Sequence, residues 1–203
     1  MMKKGLLFLA TLLLALPLFA AQFEEGRHYE VIEGAQATAS PEVAEYFSFL
    51  CPHCHSFEPL VHGLAQSLPE GVPLRRFHAA GFGGNSGRLL TDAFAVMEVL
   101  EVTERVAPKV FDSVHVWHAR PKTLADIRNL FVAAGVAGDD FELALKSMQV
   151  PLLKNRMQQR FQQARIKHLP ELVVSGKYRV KRAAVPEQAQ LNALVKYLLA
   201  KDA

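Results

Sequence analysis

The sequence predicts an α/β protein that begins with a strand–helix–strand unit and ends with a strand–strand–helix unit. Val43–Phe49 is rich in β-branched and aromatic residues, which is typical of a buried strand. From Phe57 to Leu68 the apolar residues recur every three or four positions, as in an amphipathic helix. Two apolar runs within Glu171–Val180 flank Ser175-Gly176, which indicates a hairpin with a two-residue turn.

The remaining elements follow from turn and capping signals. Pro69-Glu70-Gly71 ends the first helix, and Val72–Phe77 is predicted as a second strand. Residues 81–166 are expected to be helical and to form an insertion, with a glycine-rich loop at its start. Helices in this block are predicted to begin at Leu89, at Pro108, at a capping box of Thr123 and Asp126, at Asp139 or Asp140, and at Pro151. Pro186 is expected to open a final helix.

The first twenty residues have the composition of a secretory signal peptide. Lys3 and Lys4 precede an almost wholly apolar run, Gly5–Phe19, and small residues follow at Ala20-Ala21. The apolar run is short for a membrane span, which needs roughly 20 residues. We therefore expect residues 1–20 to be removed on export; an uncleaved anchor is the alternative.

Composition and charge limit the classes of partner. The chain has 203 residues and a net charge of +3, and two of the positive charges lie in the expected signal peptide. A nearly neutral mature protein gives no reason to expect nucleic acid or an anionic membrane surface as a partner.

Cys51 and Cys54 are the only cysteines. Two thiols in an oxidising compartment tend to pair, but a bridge across two residues closes a very small loop and stabilises the fold little. The pair is therefore expected to have a chemical role.

The position of the pair at the start of a helix divides that role between the two sulfurs. A helix N-terminus favours negative charge, and Pro52 is suited to the first helical position. Cys54 falls on the same side of the helix as Phe57 and Val61, so it should be buried. We expect Cys51 to be more exposed and to form mixed disulfides, and Cys54 to resolve them.

Histidines around the pair allow more than one interpretation. His53 could donate to the Cys51 thiolate and stabilise the reduced form, whereas alone it would be read as a solvated loop residue. A zinc site is weakly supported, since no second ligand pair at a suitable spacing is visible. Cys51-Pro52-His53-Cys54-His55 also matches the C-x-x-C-H pattern of c-type haem attachment, although the surrounding strand–helix–strand pattern favours redox chemistry.

Two positions outside the pair are candidates for supporting roles. Glu45 lies within the predicted core strand, where a carboxylate is costly unless it is paired or protonated. We expect it to exchange a proton as Cys54 changes state, with Arg76 as partner; an edge-strand glutamate that reaches water is the alternative. Pro170 precedes the hairpin and could be cis, although a trans proline is the commoner case.

These residues together resemble the periplasmic DsbA family. The resemblance rests on Glu45–Phe49, the Cys51–Cys54 motif, Leu68–Val72 and the segment from Pro170 through Gly176-Lys177-Tyr178, with Ala21–Gly26 before them. It runs in the same order along the mature chain, and C-P-H-C in that order is a specific signal.

The resemblance implies a thioredoxin fold, βαβ…ββα, interrupted by a helical insertion. The thioredoxin-like domain would comprise residues 21–80 and 167–203, and the insertion residues 81–166. It also implies that Glu45 is the buried acid, Arg76 its basic neighbour, Leu169-Pro170 part of the cis-proline loop, and Phe82-Gly83-Gly84 part of the substrate groove.

The resemblance further implies a periplasmic dithiol oxidase without a cofactor. It would donate disulfides to reduced exported polypeptides and be reoxidised by a DsbB-type membrane oxidase. It is expected to be a monomer. An exported reductase or isomerase is the alternative, although an isomerase would usually carry a dimerisation domain and none is visible. Relatives usually carry Gly-Val before the cis proline, where this chain has His168-Leu169.

Overall fold

The computed structural model describes residues 23–201, and the expected signal peptide lies outside them. Within these residues the strands are β1 (Tyr29–Val31), β2 (Val43–Phe47), β3 (Leu74–His78), β4 (Glu171–Val174) and β5 (Tyr178–Val180). The α-helices are α1 (Pro52–Ser67), α2 (Gly84–Val99), α3 (Thr103–His115), α4 (Leu124–Ala133), α5 (Gly138–Leu145), α6 (Gln149–Gln163) and α7 (Gln188–Ala200).

The strands form one mixed sheet in the order β1-β5-β4-β2-β3. β2 and β3 are parallel, which requires the crossover helix α1 between them, while β4 is antiparallel to both β2 and β5. The predicted strand–helix–strand unit and hairpin are therefore present, but Val174 pairs with Tyr178, so the turn of the hairpin has three residues and not the two that were predicted. β1 was not predicted, because a strand of three residues is too short to show an alternating pattern.

Two apolar clusters cover the sheet. One joins it to the helices between β3 and β4 and contains Phe47, Phe94 and Phe111; the other joins it to α1 and α7 and contains Val61 and Leu194. All five residues of β2 are buried, so this central strand is covered on both faces.

The first two helices of the middle block begin earlier than predicted. α2 begins at Gly84 rather than Leu89, so Gly87 lies in a helix and not in a loop. A Cβ on Gly87 would lie 1.9 Å from the Phe82 carbonyl oxygen, which explains the glycine by close packing. α3 begins at Thr103, and Pro108 lies in its interior. A buried stripe that includes Val106 and Phe111 continues on both sides of the proline and holds the helix together.

The other helix starts were predicted more closely. The capping box is confirmed: Asp126 N–H donates to Thr123 Oγ1 at 3.1 Å, and Thr123 N–H donates to Asp126 Oδ2 at 2.9 Å. α5 begins at Gly138, with the two aspartates in its first turn instead of at its cap. α6 begins at Gln149 and α7 at Gln188, so neither Pro151 nor Pro186 is the first helical residue.

α2 to α6 all lie between β3 and β4 in the chain. The division into a thioredoxin-like domain and an insertion at residues 81–166 stays a prediction. Among residues 23–201, none of the helices combines the length and apolar character needed to cross a membrane.

Candidate active site

Cys51 caps the N-terminus of α1, immediately after the loop that follows β2. Its backbone is extended, Pro52 is the first helical residue, and its carbonyl accepts hydrogen bonds from the N–H groups of Cys54 and His55. Both cysteines are free thiols, with Cys51 5% and Cys54 0% exposed. Cys51 is the more accessible sulfur, although it too is largely covered.

Cys54 lies in the core beneath this helix start. The backbone N–H of Ser48 points to its sulfur at 3.5 Å. Burial raises the pKa of the Cys54 thiol well above its ordinary value; the hydrogen bond from Ser48 N–H opposes this shift, whereas Cys51 and the charge of Glu45 add to it. Cys54 therefore holds its proton strongly.

A cis peptide bond joins Leu169 to Pro170 beside the cysteines. The Cys51 thiol donates to the Leu169 carbonyl oxygen at 3.6 Å, so this loop lies directly against the Cys51 sulfur. Pro170 and the start of α1 at Cys51 are far apart in sequence. The sheet brings them together because β2, which leads to α1, and β4, which follows Pro170, are neighbours.

A groove of about 480 Å³ opens at Cys51. His53 is exposed at its edge, and Lys167 and His168 also line it. Apolar side chains form the rest of its lining: Phe82, Phe161, Ile166 and Leu169. Phe82 is 45% exposed and presents a large apolar surface in the groove beside Cys51. The groove can therefore accept an extended peptide with apolar side chains.

Glu45 is fully buried and forms an ion pair with Arg76. Its Oε2 atom lies 2.6 Å from Arg76 Nε, and the two residues are direct partners in the β2–β3 register. Arg76 also contacts the carboxylate of Glu58 on α1. One guanidinium is thus shared by two carboxylates.

Burial raises the pKa of Glu45 above its ordinary value, and Arg76 offsets only part of this effect. For Arg76, burial acts to lower the pKa, but the two carboxylates raise it above its ordinary value. Glu45 is therefore a buried acid near Cys54 that can be protonated more easily than a surface carboxylate.

His78 also supports the site, and the sequence did not single it out. It is 1% exposed, and its Nε2 atom accepts a hydrogen bond from Phe49 N–H at 3.1 Å. Its other ring nitrogen lies 2.8 Å from Thr91 Oγ1. The only sequence signal was a polar residue directly after the predicted strand Val72–Phe77.

A second histidine holds the same loop from α3. His115 Nε2 lies 2.8 Å from the carbonyl oxygen of Phe49, and its ring stacks on His55 with centroids 5.0 Å apart. Burial lowers the pKa of His115, while the Phe49 carbonyl opposes the shift. Phe49 is therefore bound through its N–H by one histidine and through its C=O by another.

A family model described as Thioredoxin matches residues 28–196. This match and the arrangement of the two cysteines place the protein in the thioredoxin-fold class of thiol–disulfide oxidoreductases. The predicted fold class, an α/β thioredoxin fold with a helical insertion, is confirmed.

Curated relatives define the family more closely. The chain is 34% identical over 199 residues to the thiol:disulfide interchange protein DsbA of Yersinia pestis, covering 97% of this chain and 95% of the relative. It is 36% identical over 182 residues to DsbA of Escherichia coli strain K12, covering 88% and 86% of the two chains. The chain therefore belongs to the DsbA family of thiol:disulfide oxidoreductases.

A solved structure extends the similarity to three dimensions. A cysteine-to-serine variant of Proteus mirabilis DsbA, solved with the non-covalently bound peptide PWATCDS, superposes with a TM-score of 0.82 at 29% identity. The match covers 89% of this chain and 100% of that one. Membership of this family favours thiol exchange over haem attachment for the cysteine motif.

Proposed function

We propose that this protein donates a Cys51–Cys54 disulfide to reduced exported polypeptides. The observation that carries the proposal is the contrast between the two thiols. Cys51 caps a helix and borders an open groove, whereas Cys54 is sealed in the core beneath it. Only Cys51 is placed to share a disulfide with a large substrate.

The exchange has two steps. A substrate thiolate attacks Cys51 Sγ in the oxidised protein, the S–S bond breaks, and the Cys54 sulfur leaves and takes up a proton. A second substrate thiolate then attacks the substrate sulfur of the mixed disulfide and releases Cys51 as a thiolate. The substrate loses two electrons and gains a disulfide, and the protein ends as a dithiol.

Glu45 is proposed to supply and remove the proton on Cys54. It is buried near that thiol, and its pKa is raised by burial. A carboxyl group that can hold a proton in the core would protonate the leaving sulfur without admitting water. Arg76 would keep Glu45 in place in both protonation states.

Pro52, His53 and Pro170 complete the proposed site. Pro52 fixes the helix start, and His53 at the groove edge would stabilise the Cys51 thiolate when its ring is protonated. Leu169 lines the groove directly before Pro170, and the substrate strand would lie against this part of the wall. The peptide bound by the Proteus mirabilis relative supports binding of a peptide substrate.

The setting of the reaction follows from the same proposal. Residues 1–20 would direct export to the periplasm and be removed there, and the protein would act as a monomer. A DsbB-type membrane oxidase would accept the two electrons and restore the disulfide. No cofactor is needed for the exchange, since the cysteine pair carries the electrons.

The equilibrium constant with glutathione tests the direction of the reaction. An oxidase is expected to have a potential well above that of thioredoxin, about −270 mV, and to oxidise a reduced unfolded protein stoichiometrically. A potential near that of thioredoxin would favour the alternative, an exported reductase or isomerase. Thiol titration of the protein taken from the periplasm gives a second reading: an oxidase rests oxidised and a reductase rests as a dithiol.

Trapping tests the division of roles. With an unfolded protein that carries a disulfide as substrate, Cys54→Ser is expected to accumulate a mixed disulfide, visible on a non-reducing gel, because the Cys51 thiolate breaks the substrate disulfide and Cys54 is no longer there to resolve the product. Cys51→Ser should form none. The opposite pattern would show that Cys54 faces the substrate.

A further inference from the structure

Glu171 is a buried carboxylate that holds the segment before the cis proline. It is the first residue of β4 and is only 7% exposed. Its Oε1 atom accepts the backbone N–H groups of His168 at 2.9 Å and Lys167 at 3.3 Å. The side chain therefore fixes the backbone of two residues that line the groove.

Arg179 on β5 completes this arrangement. Its Nε atom lies 2.7 Å from Glu171 Oε2, a close ionic contact that is not aligned as a hydrogen bond. Its NH2 group donates to the carbonyl oxygens of Ala164 at 2.7 Å and Arg165 at 2.9 Å, at the end of α6. A cation at a helix C-terminus is favourable there.

Together the two side chains hold both ends of residues 164–168. Arg179 binds the first two residues of this segment and Glu171 binds the last two. Leu169 follows directly, and its carbonyl lies 3.6 Å from Cys51 Sγ. The segment is therefore fixed at the point where it meets the reactive sulfur.

We propose that Glu171 and Arg179 are positioning residues that set the geometry of the substrate groove beside Cys51. This inference rests on the proposed function and identifies what holds the substrate-binding wall in place. Removing two charges from water costs free energy that their attraction often does not recover, so a buried ion pair adds little to the stability of a loop. The pair of Glu171 and Arg179 instead holds the backbone of residues 164–168 in one conformation, against which an extended substrate can bind.

The variant Glu171→Ala removes both the hydrogen bonds to the two backbone N–H groups and the ionic contact with Arg179. Glu171→Gln loses the charge but keeps an oxygen that can accept the two N–H groups. The matched control is Glu42→Ala. Glu42 is 8% exposed, and its carboxylate pairs with Arg75 and Arg160 instead. The control thus removes a buried carboxylate of similar burial that serves a different part of the sheet.

The first measurement is the oxidation of a dithiol peptide, with KM and kcat determined separately. Glu171→Ala is expected to raise KM roughly tenfold, the effect of losing charge-assisted hydrogen bonds that preorganise a binding surface. Glu171→Gln should recover most of the loss, and Glu42→Ala should leave KM near the wild-type value. An unchanged KM in Glu171→Ala would overturn the proposal, as would an equal rise in Glu42→Ala.

The second measurement does not depend on the oxidase function. Because Leu169 covers the Cys51 sulfur, loosening the segment should speed alkylation of reduced Cys51 by iodoacetamide by about threefold or more. An unchanged rate in Glu171→Ala would overturn the positioning role even if the wild type oxidised no peptide. If Glu171→Ala does not fold, Arg179→Lys serves in its place: it keeps the charge and loses the planar group that reaches both carbonyls. Faster alkylation supports the proposal, and an unchanged rate contradicts it.

Discussion

Nε2 of His78 accepts a hydrogen bond from the backbone N–H of Phe49, two residues before Cys51. The other ring nitrogen then carries the proton and donates to Thr91 Oγ1, which donates in turn to the carbonyl of Gly87. This chain of hydrogen bonds joins β3, α2 and the active-site loop. It requires a neutral imidazole, and burial together with the nearby Arg76 charge lowers the pKa of His78 to about 3.

Protonation of His78 is therefore expected to destabilise the fold in acid. The unfolded chain binds a proton at this residue below about pH 6.5 and the folded protein only near pH 3. The contribution of neutral His78 to the free energy of unfolding is thus fully present above pH 6.5. It falls as the pH drops towards 3, at a slope approaching about 1.4 kcal/mol per pH unit. In His78→Gln, the free energy of unfolding measured with urea should lose this pH dependence between about pH 6.5 and 3. His118→Asn, at an exposed histidine, is the control and should keep the slope; an equal slope in His78→Gln would contradict the prediction.

Glu45→Gln is expected to shift the pH dependence of thiol exchange. The carboxylate helps to raise the pKa of Cys54, so a neutral amide should let that thiol ionise at lower pH. The rate at which Cys54 attacks a mixed disulfide preformed between Cys51 and a single-thiol peptide, followed by stopped flow, should reach its plateau at lower pH in the variant.

Glu58→Gln is the matched control for this experiment. It removes the other carboxylate that shares Arg76 but leaves Glu45 in the core. We expect a smaller shift than in Glu45→Gln. Superimposable profiles for Glu45→Gln and the wild type would show that Glu45 has no part in proton transfer.

Alkylation should distinguish the two thiols in the reduced protein. Cys51 is expected to react first with iodoacetamide, and Cys54 at least about 100-fold more slowly, because it is fully buried and its pKa is raised. Peptide mass spectrometry after timed quenching measures both rates. In concentrated guanidinium chloride the two rates should become similar. Equal rates in the native protein would rule out the assigned roles.

Gly87→Ala is expected to destabilise the protein by about 1–3 kcal/mol through overpacking. The new methyl group would collide with the Phe82 carbonyl and displace a side chain that lines the groove. Denaturant unfolding gives the loss of stability, and peptide oxidation gives the effect on the groove. Gly81→Ala is the control, since a Cβ there meets no atom within 4 Å among the described residues. Similar losses in both variants would refute the steric explanation.

The parts of the site that could be predicted from the sequence are those encoded locally. Cys51 and Cys54 are separated by two residues, and the helix that follows them has a regular apolar pattern. Glu45 and Arg76 lie on strands joined by a single helix, so a parallel register brings them together with few alternatives. Such features can be predicted because the residues involved are close in sequence or recur at a regular spacing.

Other features depend on packing between distant segments. The starts of α2 and α3 were missed because glycine and proline were read as helix boundaries, whereas tertiary contacts hold them inside helices. The bonds of His78 and of Glu171 could not be foreseen either. Each depends on a backbone group whose direction is fixed only once the sheet and the helices have assembled.

The pairing of Glu45 with Arg76 has a consequence for assembly of the sheet. If β3 joined β2 one residue out of register, Glu45 would face Arg75 or Phe77, and Arg76 would move to the other face of the sheet. A buried carboxylate without its partner costs about 3–5 kcal/mol. The ion pair therefore favours the native alignment of β3 on β2, because a sheet shifted by one residue would carry an unpaired charge in its centre.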